Sequence, residues 1–112
     1  MRHTLSAVVA AAAVALAASP ASAQSPVEKG QQVLTAQKCA ICHSIAGKGN
    51  TKGALDDVGT KLAADAIRQW ITDPPAMAAK TKAERKPPMR AYASLSSEEL
   101  EALVAYLASL KK

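Results

Sequence analysis

Apolar and polar positions divide the chain into a leader and a longer remainder. Residues 5–18 are apolar at all but one position, follow Arg2 and precede the small residues at 21–23. A positive start, a short apolar run and a small-residue cleavage site are the layout of a secretory signal peptide. The run is shorter than the roughly 20 residues that span a bilayer. We therefore expect residues 1–23 to be cleaved, with an uncleaved membrane anchor as the alternative.

Three later segments carry apolar residues at helical spacing, which predicts three helices. The first begins at Ser25-Pro26 and ends near Gln37, the second lies within Thr60–Thr72, and the third begins at Ser96. A serine with a glutamate three residues later makes a capping box at the start of the first and third helices. The sequence Asp-Pro-Pro stops the second, since a residue before proline avoids helical backbone.

The rest of the chain shows neither helical spacing nor strand alternation. We therefore predict an all-α domain over residues 24–112, with loops at 46–59 and 72–95. The second loop holds four prolines in two pairs. A structureless loop of that length in so small a domain usually has a functional reason.

Composition shows that this domain is short of core. Hydrophobic residues make up 49% of the chain, but 16 of them, ten of them alanine, lie in residues 1–23, and only three residues are aromatic. A domain of this size is marginal without a cross-link or cofactor. The length excludes a multidomain enzyme, a dinucleotide fold and a protein with several membrane spans. Residues 24–112 carry a mild net charge of +4, which gives no reason to expect nucleic acid as a partner.

Residues 39–43 read Cys-Ala-Ile-Cys-His and contain both cysteines of the chain. This string is the pattern of c-type haem attachment. The thiols of Cys39 and Cys42 would bind two vinyl groups on one porphyrin edge, which places His43 to ligate the iron. A disulfide or redox dithiol is the alternative, but redox dithiol sites lie in a βαβ setting and none is visible here. A zinc site would need four ligands, and residues 24–112 offer three Cys and His side chains. We predict one covalently bound haem c, which also supplies the core that is otherwise short.

The residues alone leave the second axial ligand open. Ligation by two histidines is excluded within a cleaved monomer, because residues 24–112 hold His43 alone. Met77 and Met89 are the soft-sulfur candidates, and apolar packing or a five-coordinate iron are the alternatives. Ligation by His and Met raises the reduction potential and fills both axial positions. Such a centre suits electron transfer rather than catalysis at the iron.

The order of these parts resembles the small class I bacterial cytochromes c. A capped helix precedes Cys-x-x-Cys-His, a Gly-rich loop follows, and a helix ends in Trp-Ile-x-Asp-Pro. A Pro-rich loop with Met then leads to a final helix that reads Leu-x-x-Leu-Val-Ala-Tyr-Leu. The resemblance implies three main helices and loops wrapped around one haem, with Met89 as the second ligand. The family often has proline directly after this methionine, where this chain has Arg90.

The resemblance also implies supporting residues around the haem. A carbonyl of the segment 53–55 would accept a hydrogen bond from the ring of His43, as metal-bound histidines normally require. The family has proline in this segment, where this chain has Ala54. Leu55 would pack on the haem. Trp70 would donate to a haem propionate, with core packing as the alternative. Where the first and last helices cross, Gly30 would allow close contact with Tyr106.

Basic side chains near the expected methionine ligand are further candidates. Arg68 and Arg90 could pair with propionates, with surface ion pairing or solvation as the alternatives. A cluster of cations in the methionine loop, accompanied by Glu84, is either a docking patch for a redox partner or a solvated loop. This cationic cluster comprises Lys80, Lys82, Arg85, Lys86 and Arg90.

These observations predict a periplasmic carrier of single electrons that is a monomer and not itself an enzyme. Its partners would be proteins (an oxidase, a reductase or a dehydrogenase) rather than nucleic acid or a small-molecule substrate. One alternative is a haem subunit that exchanges electrons with a periplasmic oxidoreductase complex. Another is a small haem peroxidase, which would need an open iron site and a distal acid–base residue. The last is a redox dithiol protein without haem.

Overall fold

The computed structural model describes residues 24–112 and, before them, Ala10 alone. The signal peptide and its cleavage site therefore lie outside the described residues and stay predictions. The described part is rich in helix, as the all-α prediction requires. Its α-helices are α1 (Pro26–Ala36), α2 (Val58–Lys61), α3 (Ala64–Thr72), α4 (Pro74–Thr81) and α5 (Ser97–Ala108).

Helices α1 and α5 begin where their capping residues lie. The hydroxyl of Ser25 accepts a hydrogen bond from the backbone N–H of Glu28 at 3.2 Å. At α5 the capping box is complete, because Ser96 and Glu99 each accept the other's backbone N–H at 3.1 Å. These caps satisfy backbone donors that the first helical turn leaves without partners. The predicted starts of the first and last helices are confirmed.

The predicted loop over residues 72–95 is wrong in its first part, where α4 forms. The same Asp-Pro-Pro sequence that ends α3 at Thr72 begins α4, with Pro74 and Pro75 in its first turn. Proline is tolerated there because the first turn needs no backbone donor. Asp73 accepts a hydrogen bond from the N–H of Ala76 at 3.4 Å. The proline pair is therefore both the end signal of one helix and the start signal of the next.

Two smaller differences concern the region before α3. The second predicted helix, Thr60–Thr72, is divided, because extended backbone at Leu62 and Ala63 separates α2 from α3. A short antiparallel hairpin of strand β1 (Ser44–Ile45) and strand β2 (Lys48–Gly49) begins just before the predicted loop at 46–59 and extends into it. The described residues thus form five α-helices, where the sequence predicts three.

The core lies where α1 and α3 pack on α5. A Cβ atom added to Gly30 would overlap the carbonyl oxygen of Ala102 and lie 2.5 Å from Cβ of Tyr106. The predicted close crossing of the first and last helices at Gly30 and Tyr106 is confirmed. The buried cluster consists of Val33, Ile67, Ile71, Leu103, Val104, Tyr106 and Leu107.

Ion pairs on the surface connect the same helices. Lys29 of α1 pairs with Glu98 of α5 at 2.6 Å. Arg68 of α3 pairs with Glu101 of α5 at 2.7 Å and with Asp65 at 2.5 Å. The surface ion pairing that the sequence analysis kept as an alternative for Arg68 is the arrangement found. Within the described residues, no helix has both the length and the apolar character needed to cross a membrane.

Candidate haem site

The Cys-x-x-Cys-His motif forms a tight turn directly after α1. Residues Cys39–Ile41 make one turn of 3-10 helix, and the residue before them, Lys38, has a left-handed φ of 58°. The carbonyl oxygen of Cys39 accepts the N–H of Cys42 at 3.1 Å and the N–H of His43 at 2.9 Å. Both thiols are free and half-buried, and burial raises the pKa of the Cys39 thiol. Both sulfurs are therefore available for thioether bonds.

The imidazole of His43 is fixed through one of its two nitrogens. Its Nδ1 lies 2.9 Å from the carbonyl oxygen of Gly53, to which the Nδ1–H donates. Burial lowers the pKa of His43, and the cation of Arg85 acts in the same direction, while the Gly53 carbonyl opposes both. The neutral ring with its proton on Nδ1 is the form that leaves Nε2 free to ligate a metal. The geometry matches the acceptor that the resemblance implied.

Backbone pairing keeps the Gly53 carbonyl in place although Ala54 stands where the family has proline. Ala54 forms a parallel bridge with Ser44. The N–H of Leu55 donates to the carbonyl of Ser44 at 2.8 Å. These contacts tie the acceptor segment to the residue that directly follows His43. Hydrogen bonding here holds the segment that proline would otherwise stiffen.

Asn50 binds three carbonyl groups of the motif turn. Its backbone N–H lies 3.1 Å from both the Ala40 and the His43 oxygens. Its side-chain Nδ2 donates to the Ile41 oxygen at 3.3 Å. Sequence reasoning missed Asn50, although the preceding glycine, which has a φ of +105°, is a turn signal that points to this region.

Arg85 binds the Cys42 carbonyl group, to which Asn50 does not bond. Its Nη2 donates to the oxygen of Cys42 at 2.5 Å. Sequence reasoning placed Arg85 only in the cationic cluster, because nothing local relates residue 85 to residue 42. With the Cys39 oxygen bonded inside the turn, every carbonyl from 39 to 43 now has a donor. The motif therefore has a fixed backbone.

The two methionine candidates lie in different surroundings. Met77 lies in α4 and is 5% exposed. Met89 is half-buried in the segment between α4 and α5. The end of that segment is anchored, because the N–H of Tyr92 donates to the carbonyl of Ile71 at 2.9 Å. Met89 is therefore carried by irregular backbone that is tied to α3, whereas Met77 is part of a helix.

The two apolar candidates for haem contact also differ. Leu55 is half-buried and packs against the core cluster. Trp70 is half-buried as well, but among the described residues it is not one of the side chains packed on that cluster. The indole therefore has a surface that the protein core does not cover.

All members of the cationic cluster are exposed, but they are not equivalent. The guanidinium of Arg90 lies 5.1 Å from the centroid of the Tyr92 ring, a cation–π arrangement. Arg85 is hydrogen-bonded to the motif turn. Ile41, inside the motif, is 69% exposed. The turn thus shares an accessible surface with part of the cationic cluster, because Ile41, Lys52, Arg85 and Lys86 line one depression.

The residues present fit a covalently bound haem. Two free thiols stand at the attachment spacing, and the adjacent histidine has Nδ1 occupied. Two methionines supply soft sulfur on separate segments. The alternative of a bare metal ion lacks its ligands within residues 24–112, where no three His, Cys, Asp or Glu side chains are grouped to hold one.

Comparisons with known proteins identify the family of this chain. The family model described as cytochrome c matches residues 27–111. A cytochrome c oxidase subunit 2 from Alkalihalophilus pseudofirmus is 32% identical over 92 residues, which cover 74% of this chain and 25% of that subunit. The chain thus spans about a quarter of that relative's length. No solved structure matches the chain significantly. Since the family model covers nearly all of residues 24–112, the chain belongs to the cytochrome c family.

Proposed function

We propose that this protein carries single electrons through one haem c whose iron is ligated by His43 and Met89. Cys39 and Cys42 would hold the porphyrin. The observation that carries the proposal is the 2.9 Å hydrogen bond from His43 Nδ1 to Gly53, next to two free thiols. A haem bound there supplies a reversible one-electron centre. Membership of the cytochrome c family supports this coarse function.

The chain's own residues keep that centre similar in both oxidation states. The hydrogen bond to Gly53 fixes the orientation of the His43 ring and increases its basicity as a ligand. The bonded carbonyl groups of the motif turn hold its backbone still. Little reorganisation on gain or loss of an electron is what fast electron transfer needs. A filled sixth position would also exclude small ligands, which argues against a peroxidase.

Met89 is the better sixth ligand because of where each methionine lies. Met77 is almost fully buried within a regular helix, so its thioether serves packing. Met89 lies on irregular backbone that ends at the Tyr92 anchor. Such a loop can present a side chain to the iron without breaking a helix. The resemblance to class I cytochromes implies the same residue.

Two half-buried side chains would contact the porphyrin. Leu55 follows the segment that holds the His43 ring, and the bond from its own N–H to Ser44 fixes it there. Trp70 has apolar surface outside the core cluster and an indole N–H that could donate to a propionate. Leu55 is proposed as a packing contact and Trp70 as a propionate donor.

Partner proteins would approach the surface formed by Ile41 and the cationic cluster. An exposed apolar residue with positive side chains around it suits an acidic partner, which long-range charge steers into place. Because a secretory leader is predicted at residues 1–23, we propose that this encounter takes place in the periplasm. We propose that the carrier acts as a monomer there.

Spectra of the purified holoprotein and two methionine variants test the proposed ligation. We expect covalent haem that survives denaturation, and a weak near-infrared band from the Met-to-iron bond in the ferric protein. Met89→Ala should remove that band, while the matched variant Met77→Ala should keep it and lose stability instead. Loss of the band in Met77→Ala alone would mean that Met77 is the ligand. Ready binding of carbon monoxide by the ferrous wild type would mean that the sixth position is open and would favour the peroxidase.

A haem subunit of a larger oxidoreductase is the second candidate function. Its support is the similarity to part of a cytochrome c oxidase subunit 2. Affinity purification from the native membrane and periplasm separates the two. A partner that stays bound in fixed stoichiometry through gel filtration would favour the subunit, and elution as a free monomer would favour the carrier.

A further inference from the structure

Arg85 connects the methionine-bearing segment with the histidine side of the site. It lies four residues before Met89 in the segment between α4 and α5. Its Nη2 donates to the carbonyl oxygen of Cys42 at 2.5 Å. That carbonyl belongs to the peptide group that joins Cys42 to His43. One side chain of the predicted Met89 loop is therefore bonded directly to the backbone of the predicted fifth ligand.

The same guanidinium also lies against Gly53. A Cβ atom added to Gly53 would overlap Nη1 of Arg85 and the carbonyl oxygen of Cys42. Glycine is thus required for Arg85 to reach its position. Gly53 in turn accepts the hydrogen bond from the His43 ring. Arg85 consequently contacts both backbone segments that fix His43.

The charge of Arg85 is available to act on the site. Within residues 24–112 its guanidinium is not paired with a carboxylate, whereas Arg68 pairs with Glu101 and Asp65. A fixed cation near an iron centre opposes the extra positive charge of the oxidised state. Partial exposure to water weakens that effect without removing it.

We propose that Arg85 is a positioning residue that couples the Met89 segment to the His43 segment and raises the reduction potential of the haem. This inference rests on the proposed His43 and Met89 ligation. Asn50 fixes the motif turn from within the neighbouring hairpin loop, but it has no link to the methionine side. Arg85 alone among the described side chains bonded to the turn comes from the segment that carries Met89.

Three variants of the holoprotein separate charge from hydrogen bonding. Arg85→Met removes both, Arg85→Lys keeps the charge but loses the planar fork, and Lys80→Met removes one exposed cation of the cluster that makes no bond to the turn. The readouts are the midpoint potential and the affinity of the ferric iron for imidazole, which competes with the methionine.

We expect Arg85→Met to have the lowest midpoint potential and to bind imidazole about tenfold more tightly, as loss of one charge-assisted hydrogen bond implies. Arg85→Lys should recover much of the potential but not the resistance to imidazole. Lys80→Met should resemble wild type in both. Equal effects of Arg85→Met and Lys80→Met would overturn the inference, because only the net charge would then matter.

The wild type decides whether the proposed function or the inference has failed. A wild type without covalent haem, or without the Met-to-iron band, would overturn both. A wild type with the band, together with an unchanged Arg85→Met holoprotein, would overturn the role of Arg85 alone. Unchanged helical circular dichroism in each variant would show that the fold persists. Exchange of the His43 Nδ1 proton with solvent reports directly how firmly the ring is held, and we expect it to be faster in Arg85→Met.

Discussion

Two regions of the molecule are held together in different ways. The first is the crossing of α1 and α5, and the second is residues 39–53, which comprise the motif turn, the hairpin and the acceptor segment that ends at Gly53. The crossing depends on buried apolar side chains, such as Val33 and Leu103, and on close backbone approach at Gly30. In that second region, Ser44 is the one fully buried residue, and a donor binds each backbone carbonyl from Cys39 to Ser44. Packing therefore supplies stability at the crossing, whereas hydrogen bonds supply geometry at the turn. Variants in the two regions should affect different measurements.

The largest expected effect is at the centre of the crossing. Leu103 is 2% exposed, and its replacement by alanine should cost about 3 kcal/mol in the free energy of unfolding, since the cavity cannot fully collapse. Urea denaturation of the holoprotein measures this. Val27→Ala is the control: this side chain is 41% exposed and should change stability little. If Leu103→Ala shifted the reduction potential strongly but left the free energy of unfolding nearly unchanged, the division between the two regions would be contradicted.

Gly30→Ala tests the close approach of the two helices. The added methyl overlaps the Ala102 carbonyl, so the helices must separate, at a cost of about 2 kcal/mol. Gly47→Ala is the matched change in the hairpin of the motif turn, where φ is +79° and nothing lies within 4 Å of the new Cβ. Its backbone strain should cost about 1 kcal/mol. Thermal unfolding compares the two, and equal losses would show that steric overlap at the crossing is unimportant.

A smaller effect on stability is expected at Asn50. Asn50→Ala loses the bond to Ile41 and the acceptor for the N–H of Lys52, at a cost of about 1 kcal/mol. The matched control is Thr51→Ala, an exposed neighbour whose side chain bonds to nothing in the described residues. We expect the potential and the near-infrared band to change in Asn50→Ala but not in the control. Unchanged spectra would mean that the turn keeps its geometry without that side chain.

The smallest expected effect is the pH-dependent contribution of the Arg68–Glu101 pair. The hydrogen bond from Arg68 lowers the pKa of Glu101 below its ordinary value of 4.5. A carboxyl with a lowered folded-state pKa adds stability above that value, and the contribution disappears as pH falls through the folded pKa. The Tm of wild type should exceed that of Glu101→Gln slightly at pH 7, and the difference should disappear as pH falls through the lowered folded-state pKa of Glu101. Glu84→Gln, a change in an exposed glutamate, should show no such difference, and a gap that grows on acidification would contradict the assignment.

Local signals explain why the helix ends and the motif could be predicted. The cap at Ser25 and the capping box at Ser96 each involve residues three positions apart. The prolines after Thr72 end α3 by their own geometry. The signals that predict α4 within residues 72–95 are also local. Proline is compatible with the first turn of a helix, and Asp73 provides the cap. Patterns of adjacent residues predict structure poorly where one residue type, such as proline, can either end a helix or begin one.

The sequence by itself predicted the haem-attachment motif, the starts of the first and last helices and the close crossing at Gly30, because each depends on neighbouring residues or on a shared order of motifs. Only the tertiary structure decided how the motif turn is held. The bonds from Asn50 to Ile41 and from Arg85 to Cys42 join residues 9 and 43 positions apart. Such partners are chosen by the path of the folded chain, which brings distant donors to carbonyls that have to be satisfied.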